Sequence, residues 1–158
     1  MKKIKLPNAP EPKGHYSSAV VHNGLIYVSG QLPRNAVTGE VETGAIEAQT
    51  ELVLRNVEDV LKAAGSDLND VLQFTIYVSE MELWDKVNET YARILGEHKP
   101  ARAIVPVKDL HFGTKIEIQA IAAVKEDLTV RSAKHRKHRN IGLINFLSMF
   151  SMFRGADG

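Results

Sequence analysis

The 158-residue chain contains no cysteine. That absence excludes a disulfide scaffold, a thiolate zinc site, an iron–sulfur cluster and a cysteine nucleophile. It fits a reducing compartment, and a cytoplasmic location is expected. No apolar run of about 18 residues occurs, so a spanning helix is not expected. Met1-Lys2-Lys3-Ile4-Lys5 leads into Leu6-Pro7-Asn8-Ala9-Pro10 without the apolar core of a secretory signal. Internal repeats, low-complexity segments, a glycine-rich phosphate loop and a nucleophile elbow are all missing. His15, His22, His98 and His111 lack metal-ligand spacing and read as loop or strand-end residues. No metal is expected.

What is present is ordinary globular composition, with 44% apolar and 25% charged residues. The formal net charge of +1 hides two unlike parts. Residues 1–125 carry 14 Lys+Arg and 16 Asp+Glu, a net −2; residues 126–158 carry six and three, a net +3. A mildly acidic domain over 1–125 is therefore followed by a basic extension over 126–158.

Periodicity places the elements. Ala19–His22 and Leu25–Val28 flank Asn23-Gly24, the pair that best tolerates the two positive φ angles of a type I′ hairpin turn. Ser29-Gly30-Gln31 ends the second strand, and residues 32–44 read as a loop or short hairpin. Ile46, Thr50, Val53, Val57, Val60, Leu61 and Ala64 recur at helical spacing, with Gly65 where a left-handed cap belongs. Over Val71–Ser79, Leu72, Phe74, Ile76 and Val78 alternate against Val71, Gln73, Thr75 and Tyr77, which is strand periodicity. A second helix runs from about Met81 to Leu95, with Trp84, Val87, Tyr91, Ile94 and Leu95 on its stripe. Short strands follow at Arg102–Val107 and Lys115–Val124.

The order β-β-α-β-α-β-β predicts an α+β fold, a mixed sheet with both helices on one face. The uncovered face is expected to carry Arg102, Lys115, Glu117 and Gln119, with apolar Ile104 and Ile121 between them. Such a half-apolar face is expected to be buried by self-association.

Six short motifs fall on these elements in order: Gly14-His15-Tyr16-Ser17, Val28-Ser29-Gly30-Gln31, Glu47-Ala48-Gln49-Thr50, Val87-Asn88-Glu89-Thr90-Tyr91, Pro100-Ala101-Arg102-Ala103 and Lys115-Ile116-Glu117-Ile118-Gln119-Ala120. Together they resemble the RidA/YjgF family of reactive-intermediate deaminases, often labelled L-PSP endoribonucleases, over about residues 5 to 125. The resemblance implies a chorismate-mutase-like fold and a homotrimer whose sheets form a central barrel, with clefts between subunits. The implied activity is hydrolysis of 2-enamines and 2-imines, such as 2-aminoacrylate, 2-iminopropanoate and 2-iminobutanoate, to 2-keto acids and ammonia. No cofactor is needed.

A 2-imino acid offers a carboxylate, which calls for a bidentate, permanently charged partner. Arg102 matches the family's carboxylate-binding arginine. In the family an acidic residue orients the attacking water; Gln119 stands at that position, and Glu117 matches the structurally typical glutamate before it. Glutamine donates and accepts hydrogen bonds but takes no proton near neutral pH. Tyr16 matches the tyrosine that closes over the substrate, Ser29 and Gly30 the residues lining the cleft, and Asn88 a cleft residue on the second helix. Ile104 stands where many members carry a cysteine. Arg102 and Gln119 are thus the expected catalytic pair, with Tyr16, Ser29, Gly30, Asn88 and Ile104 binding substrate.

Two alternatives compete. The Gln119 departure motivates a non-catalytic small-ligand-binding protein on the same scaffold. RNA cleavage, a label some members carry, is disfavoured for the body by its net −2 and its lack of a basic stripe interleaved with aromatics. Beyond residue 125, the basic cluster Arg131, Lys134, His135, Arg136, Lys137, His138 and Arg139 precedes an apolar run over 141–153 broken by Gly142, Asn145, Ser148 and Ser151. That run is too short to span a bilayer. It reads as a membrane-surface or partner-docking segment, as a nucleic-acid-binding tail, or as a non-native extension with no selected role.

Overall fold

The computed structural model describes residues 1–7, 9–10 and 14–125; the basic and apolar tail lies outside the described residues. The chain opens with a strand that periodicity does not reveal. β1 (Lys2–Ile4) pairs antiparallel with β2 (Ala19–His22) at the sheet edge, burying Ile4 and exposing both lysines. Three residues are too few for a pattern, and edge lysines discourage a further strand from adding on. Asn23 and Gly24 take φ of 50° and 78°, and the hairpin closes into β3 (Leu25–Gln31) with His22 opposite Leu25. The following segment is a short hairpin, with a bridge between Arg34 and Val41, tied down by the Asn56 side chain donating to the Leu32 and Arg34 carbonyls.

α1 (Ile46–Ala63) buries the predicted stripe. It ends because Gly65 sits at φ 84°, which lets the Gly65 and Ser66 amides turn back onto the Lys62 and Leu61 carbonyls. β4 (Val71–Val78), α2 (Trp84–Leu95), β5 (Ala101–Pro106) and β6 (Ile116–Ala123) complete a sheet of order β1-β2-β3-β6-β4-β5. Only β4 and β5 pair in parallel. β3, β4 and β5 therefore run the same way. Their connections, through α1 and then α2, progress across the sheet in one direction. A crossover of constant hand then puts both helices on one face. Phe74, Ile76, Ile26, Val28, Ile116 and Ile118 pack beneath Val53, Leu54, Val57, Val60 and Leu61 of α1 and Val87 and Tyr91 of α2. No helix among the described residues is long and apolar enough to cross a membrane.

Two expectations are corrected. In β4, Val71 is buried and Leu72 is 51% exposed, the reverse of the simple alternation. The register against β6 shifts between Val71 and Gln73, so one extra residue flips the side chains that precede it. In β5, Arg102 and Ile104 do not join Glu117 and Gln119 on the open face. They pair with the core residues Phe74 and Ile76, so they point to the helix side, and Ala101, Ala103 and Val105 face outward. The open face carries Tyr27, Gln73, Thr75, Tyr77, Glu117, Gln119 and Ile121.

Candidate functional site

Arg102 lies on the edge strand β5, and its half-buried guanidinium reaches α2. Trp84, Asn88 and Tyr91 recur at spacings of four and three, one face of the helix. Arg102 donates to Asn88 Oδ1 at 3.0 Å and stacks over the Tyr91 ring at 4.8 Å and the Trp84 ring at 5.9 Å. Among the described residues no carboxylate lies within 4.0 Å of it. All its partners are neutral, and most of its five donors are uncommitted. A permanent charge in that state, held by rings and one amide, is free to take up an anion's charge and hydrogen bonds. Ile104 is half-buried on the same side of the strand, packed on the core.

Tyr91 completes this cluster. Its ring meets Phe74 edge-on at 5.5 Å, and its hydroxyl is buried without a hydrogen-bond partner. Burial pushes its pKa up to about 12, against the opposing pull of the Arg102 charge. The phenol is therefore neutral and has a donor free.

The second cluster forms where β3 meets β6. The register between them shifts between Val28 and Gln31, which leaves Ser29 and Gly30 out of the regular ladder. The Ser29 hydroxyl donates to the Ser17 carbonyl at 2.7 Å and its amide to the Ser18 carbonyl at 3.0 Å, docking the loop that carries Tyr16. Tyr16 itself is 59% exposed, beside a groove lined by Lys3, Ile4, Leu6 and Ser17. Gly30 leaves room for the end of the Glu117 side chain. A Cβ there would stand 1.8 Å from Glu117 Oε1. On the same strand as Glu117, Gln119 accepts a hydrogen bond from the Tyr77 hydroxyl at 3.0 Å. Buried Gln49 holds the start of β6 in place: its side chain accepts from the Lys115 amide and donates to the Gly44 carbonyl, both at 2.9 Å.

The sites expected from the sequence thus fall into two groups. Arg102, Asn88 and Ile104 meet on the helix side of the sheet. Ser29 docks the loop that carries Tyr16, Gly30 faces the Glu117 carboxyl, and Gln119 lies on the open face against Tyr77. Within one chain, Arg102 and Gln119 project from opposite faces. Trp84 and Tyr91 were readable as a helix stripe but not as a cradle for Arg102; their spacing with Asn88 is the signal. The seating of Glu117 over Gly30 has no local signal, because it joins residues far apart in the chain. No group of three acidic or histidine side chains among the described residues is placed to hold a metal ion.

A family model described as Endoribonuclease L-PSP matches residues 6–124. The chain belongs to the RidA/YjgF family. A RutC family protein of Pyrococcus horikoshii is 45% identical over 115 residues, 73% of this chain and 91% of that one. The human 2-iminobutanoate/2-iminopropanoate deaminase is 34% identical over 129 residues, 82% of this chain and 93% of that one. The crystal structure of the E. coli YjgF gene product superposes with a TM-score of 0.74 at 38% identity, covering 79% of this chain and all of that one. The fold is thus the RidA/YjgF fold. The match ends one residue past β6, and two of the relatives carry deaminase names, a chloroplastic Reactive Intermediate Deaminase A of Arabidopsis thaliana and the human protein.

Proposed function

We propose that this member of the RidA/YjgF family hydrolyses small 2-imino and 2-enamino acids to 2-keto acids and ammonia. The observation that carries the reading is Arg102, a half-buried guanidinium held by Asn88, Tyr91 and Trp84 with no carboxylate partner among the described residues. A small substrate carboxylate satisfies it bidentately. The relatives that are named deaminases support the same chemistry. Because Arg102 and the Gln119 cluster lie on opposite faces of one chain, the reading places the substrate in a cleft between two copies, in a homotrimer closed by the open sheet faces. An imine carbon is already electrophilic, so fixing the substrate and one water beside it supplies much of the rate. No cofactor enters the scheme.

The test is direct. An amino-acid oxidase generates 2-iminopropanoate in situ, and its decay is followed with and without the pure protein. Acceleration well above buffer is expected. Absence of any acceleration across several 2-imino acids would sink the reading. Gln119 motivates one alternative, a binding protein without turnover; it predicts calorimetric binding of 2-keto acids and activity gained on Gln119→Glu.

A further inference from the structure

We infer that Phe112 is a specificity-determining residue, an aromatic wall in the turn before β6 that favours 2-imino acids carrying an aromatic side chain. The inference rests on the deaminase reading and adds which side chain its substrate carries. Phe112 sits at φ 61° and ψ 17°, in the left-handed region. Among the described residues, the only other non-glycine residue with positive φ is Asn23. Asn23 belongs to a hairpin turn that needs that conformation, and asparagine tolerates it; for a bulky aromatic it is costly. Core packing does not offset the cost, because Phe112 is 52% exposed. Glycine would make the same turn without strain. Backbone strain held at an exposed ring points to a ring kept for contact with a ligand.

The ring is fixed from two sides. The His111 ring stands 3.8 Å from it at 60°, and the Arg34 guanidinium lies over it at 5.7 Å. Arg34 is itself anchored, with Nε donating to the Gly39 carbonyl at 2.9 Å and its own carbonyl accepting from Asn56 at 2.8 Å. Beneath the turn, Thr114 is buried and its hydroxyl donates to the His111 carbonyl at 2.9 Å. Phe112 is therefore presented on a braced turn, which lowers the entropy lost when a ligand packs on it.

Its place in the fold puts it beside the reacting end of the cleft. The β3–β6 ladder ends where Gln31 faces Ile118, and the residues just before that pair, Gly30 and Glu117, are in contact. From the same end of the ladder the chain runs on to Arg34 and back to Phe112, so their stacked pair caps it. Burial raises the Glu117 pKa and the His111 charge opposes this, which sets the turn within electrostatic reach of that carboxyl. On the Arg102 side, Trp84 and Ile104 are half-buried and uncharged. A substrate held by its carboxylate thus meets apolar surface in both halves. The open part of the Phe112 ring suits a second ring, edge-on or offset.

The experiment compares kcat/KM for imines made in situ by oxidases from alanine, phenylalanine and aspartate, in wild type, Phe112→Gly and Phe112→Tyr. Calorimetry with phenylpyruvate and pyruvate gives the same comparison without turnover. Wild type is expected to favour the phenylalanine imine over the alanine imine by about 10-fold or more, the scale of a filled apolar subsite. Phe112→Gly should bring the two level, and Phe112→Tyr should keep the preference. Thermal melting checks that Phe112→Gly folds, and sedimentation velocity that it assembles as wild type does. A folded Phe112→Gly that keeps the wild-type ratio overturns the inference, and so does one that changes assembly, since the ring is then an interface residue. A wild type that prefers the aspartate imine also overturns it, because Arg34 and not the ring then reads the side chain. In each of these cases the deaminase reading stands. A wild type that accelerates no imine overturns the deaminase reading, and the ratio of phenylpyruvate to pyruvate affinity then decides the subsite alone.

Discussion

At Arg102 the balance is between the cost of half-burying a charge and the gain from holding it still. Asn88 and the rings of Tyr91 and Trp84 offset the cost without neutralising the charge. The geometry is specific to a planar guanidinium, which stacks and forks at once. Arg102→Ala is therefore expected to lower kcat/KM for imine decay by about 100-fold or more, the scale of a lost charge-assisted bidentate contact. Arg102→Lys should restore little of it, and the oxidase-coupled assay reads both. Gly30 makes a second residue-scale prediction. Gly30→Ala forces the Glu117 carboxyl out of its seat; because the flexible end of that side chain can swing away, the loss is expected at the low end of the overpacking range, about 1 kcal/mol, measurable by denaturant melts. Glu117 itself has a sign that can be worked out. Its pKa is raised on folding, so its contribution to stability is greatest below the unfolded value and is lost as pH rises through the folded one. Glu117→Gln should thus melt higher than wild type at pH 7, with the difference shrinking toward pH 4.

At the scale of elements, the two clusters depend on how strands and helices are tied. Gln49 on α1 is fully buried and bonds to both Gly44 and Lys115, which joins the loop before α1 to the first residues of β6. Gln49→Ala removes a fully buried side chain and takes this partner from the half-buried Lys115 amide and the exposed Gly44 carbonyl. A loss of about 1–2 kcal/mol is expected, seen as a lower midpoint in urea at unchanged slope. The helix pair is held at its rim by Arg93 to Glu51 and Lys86 to Glu47. These ion pairs are exposed and worth little; the packing of Val87 and Tyr91 over the sheet does the holding. Much of this level was legible in advance. The Asn23-Gly24 turn, the α1 stripe and the Gly65 cap are local signals, and local periodicity is enough to find them. The bulge in β4 was not, because an inserted residue changes the facing of Val71 and Leu72 without changing their apolar character.

For the whole molecule, the open face is the feature left uncovered by the helices. Tyr27 and Val105 are exposed on it and Ile121 is half-buried. In the proposed trimer this face is interior. Ile121→Glu is expected to give a monomer by sedimentation velocity and, since Arg102 and the Gly30 cluster would no longer meet across a cleft, to abolish turnover with the circular dichroism spectrum kept. After β6, Lys125 ties the chain back to the turn that follows α1. Its amide donates to the Gly65 carbonyl, and its ammonium pairs with Asp67 and Asp70, which holds the Asp67 carboxyl below its ordinary value. Truncation after Lys125 should leave the imine rate within about twofold. Any RNA affinity should leave with the tail and fall steeply with salt.

The sequence by itself determined the elements from β2 onward, their order and the family, because turns, caps, stripes and short motifs are written within a few neighbouring residues; the three-residue β1 was found only by its pairing with β2. It also established that Arg102 and Ile104 share a side of their strand. Which side was left to the tertiary structure. Alternation has a period of two and no origin, so the face is assigned only when the strand finds a register, here Phe74 opposite Arg102 beneath α2. The same long-range pairing lays the Glu117 carboxyl over Gly30, and no local pattern in either segment encodes that contact.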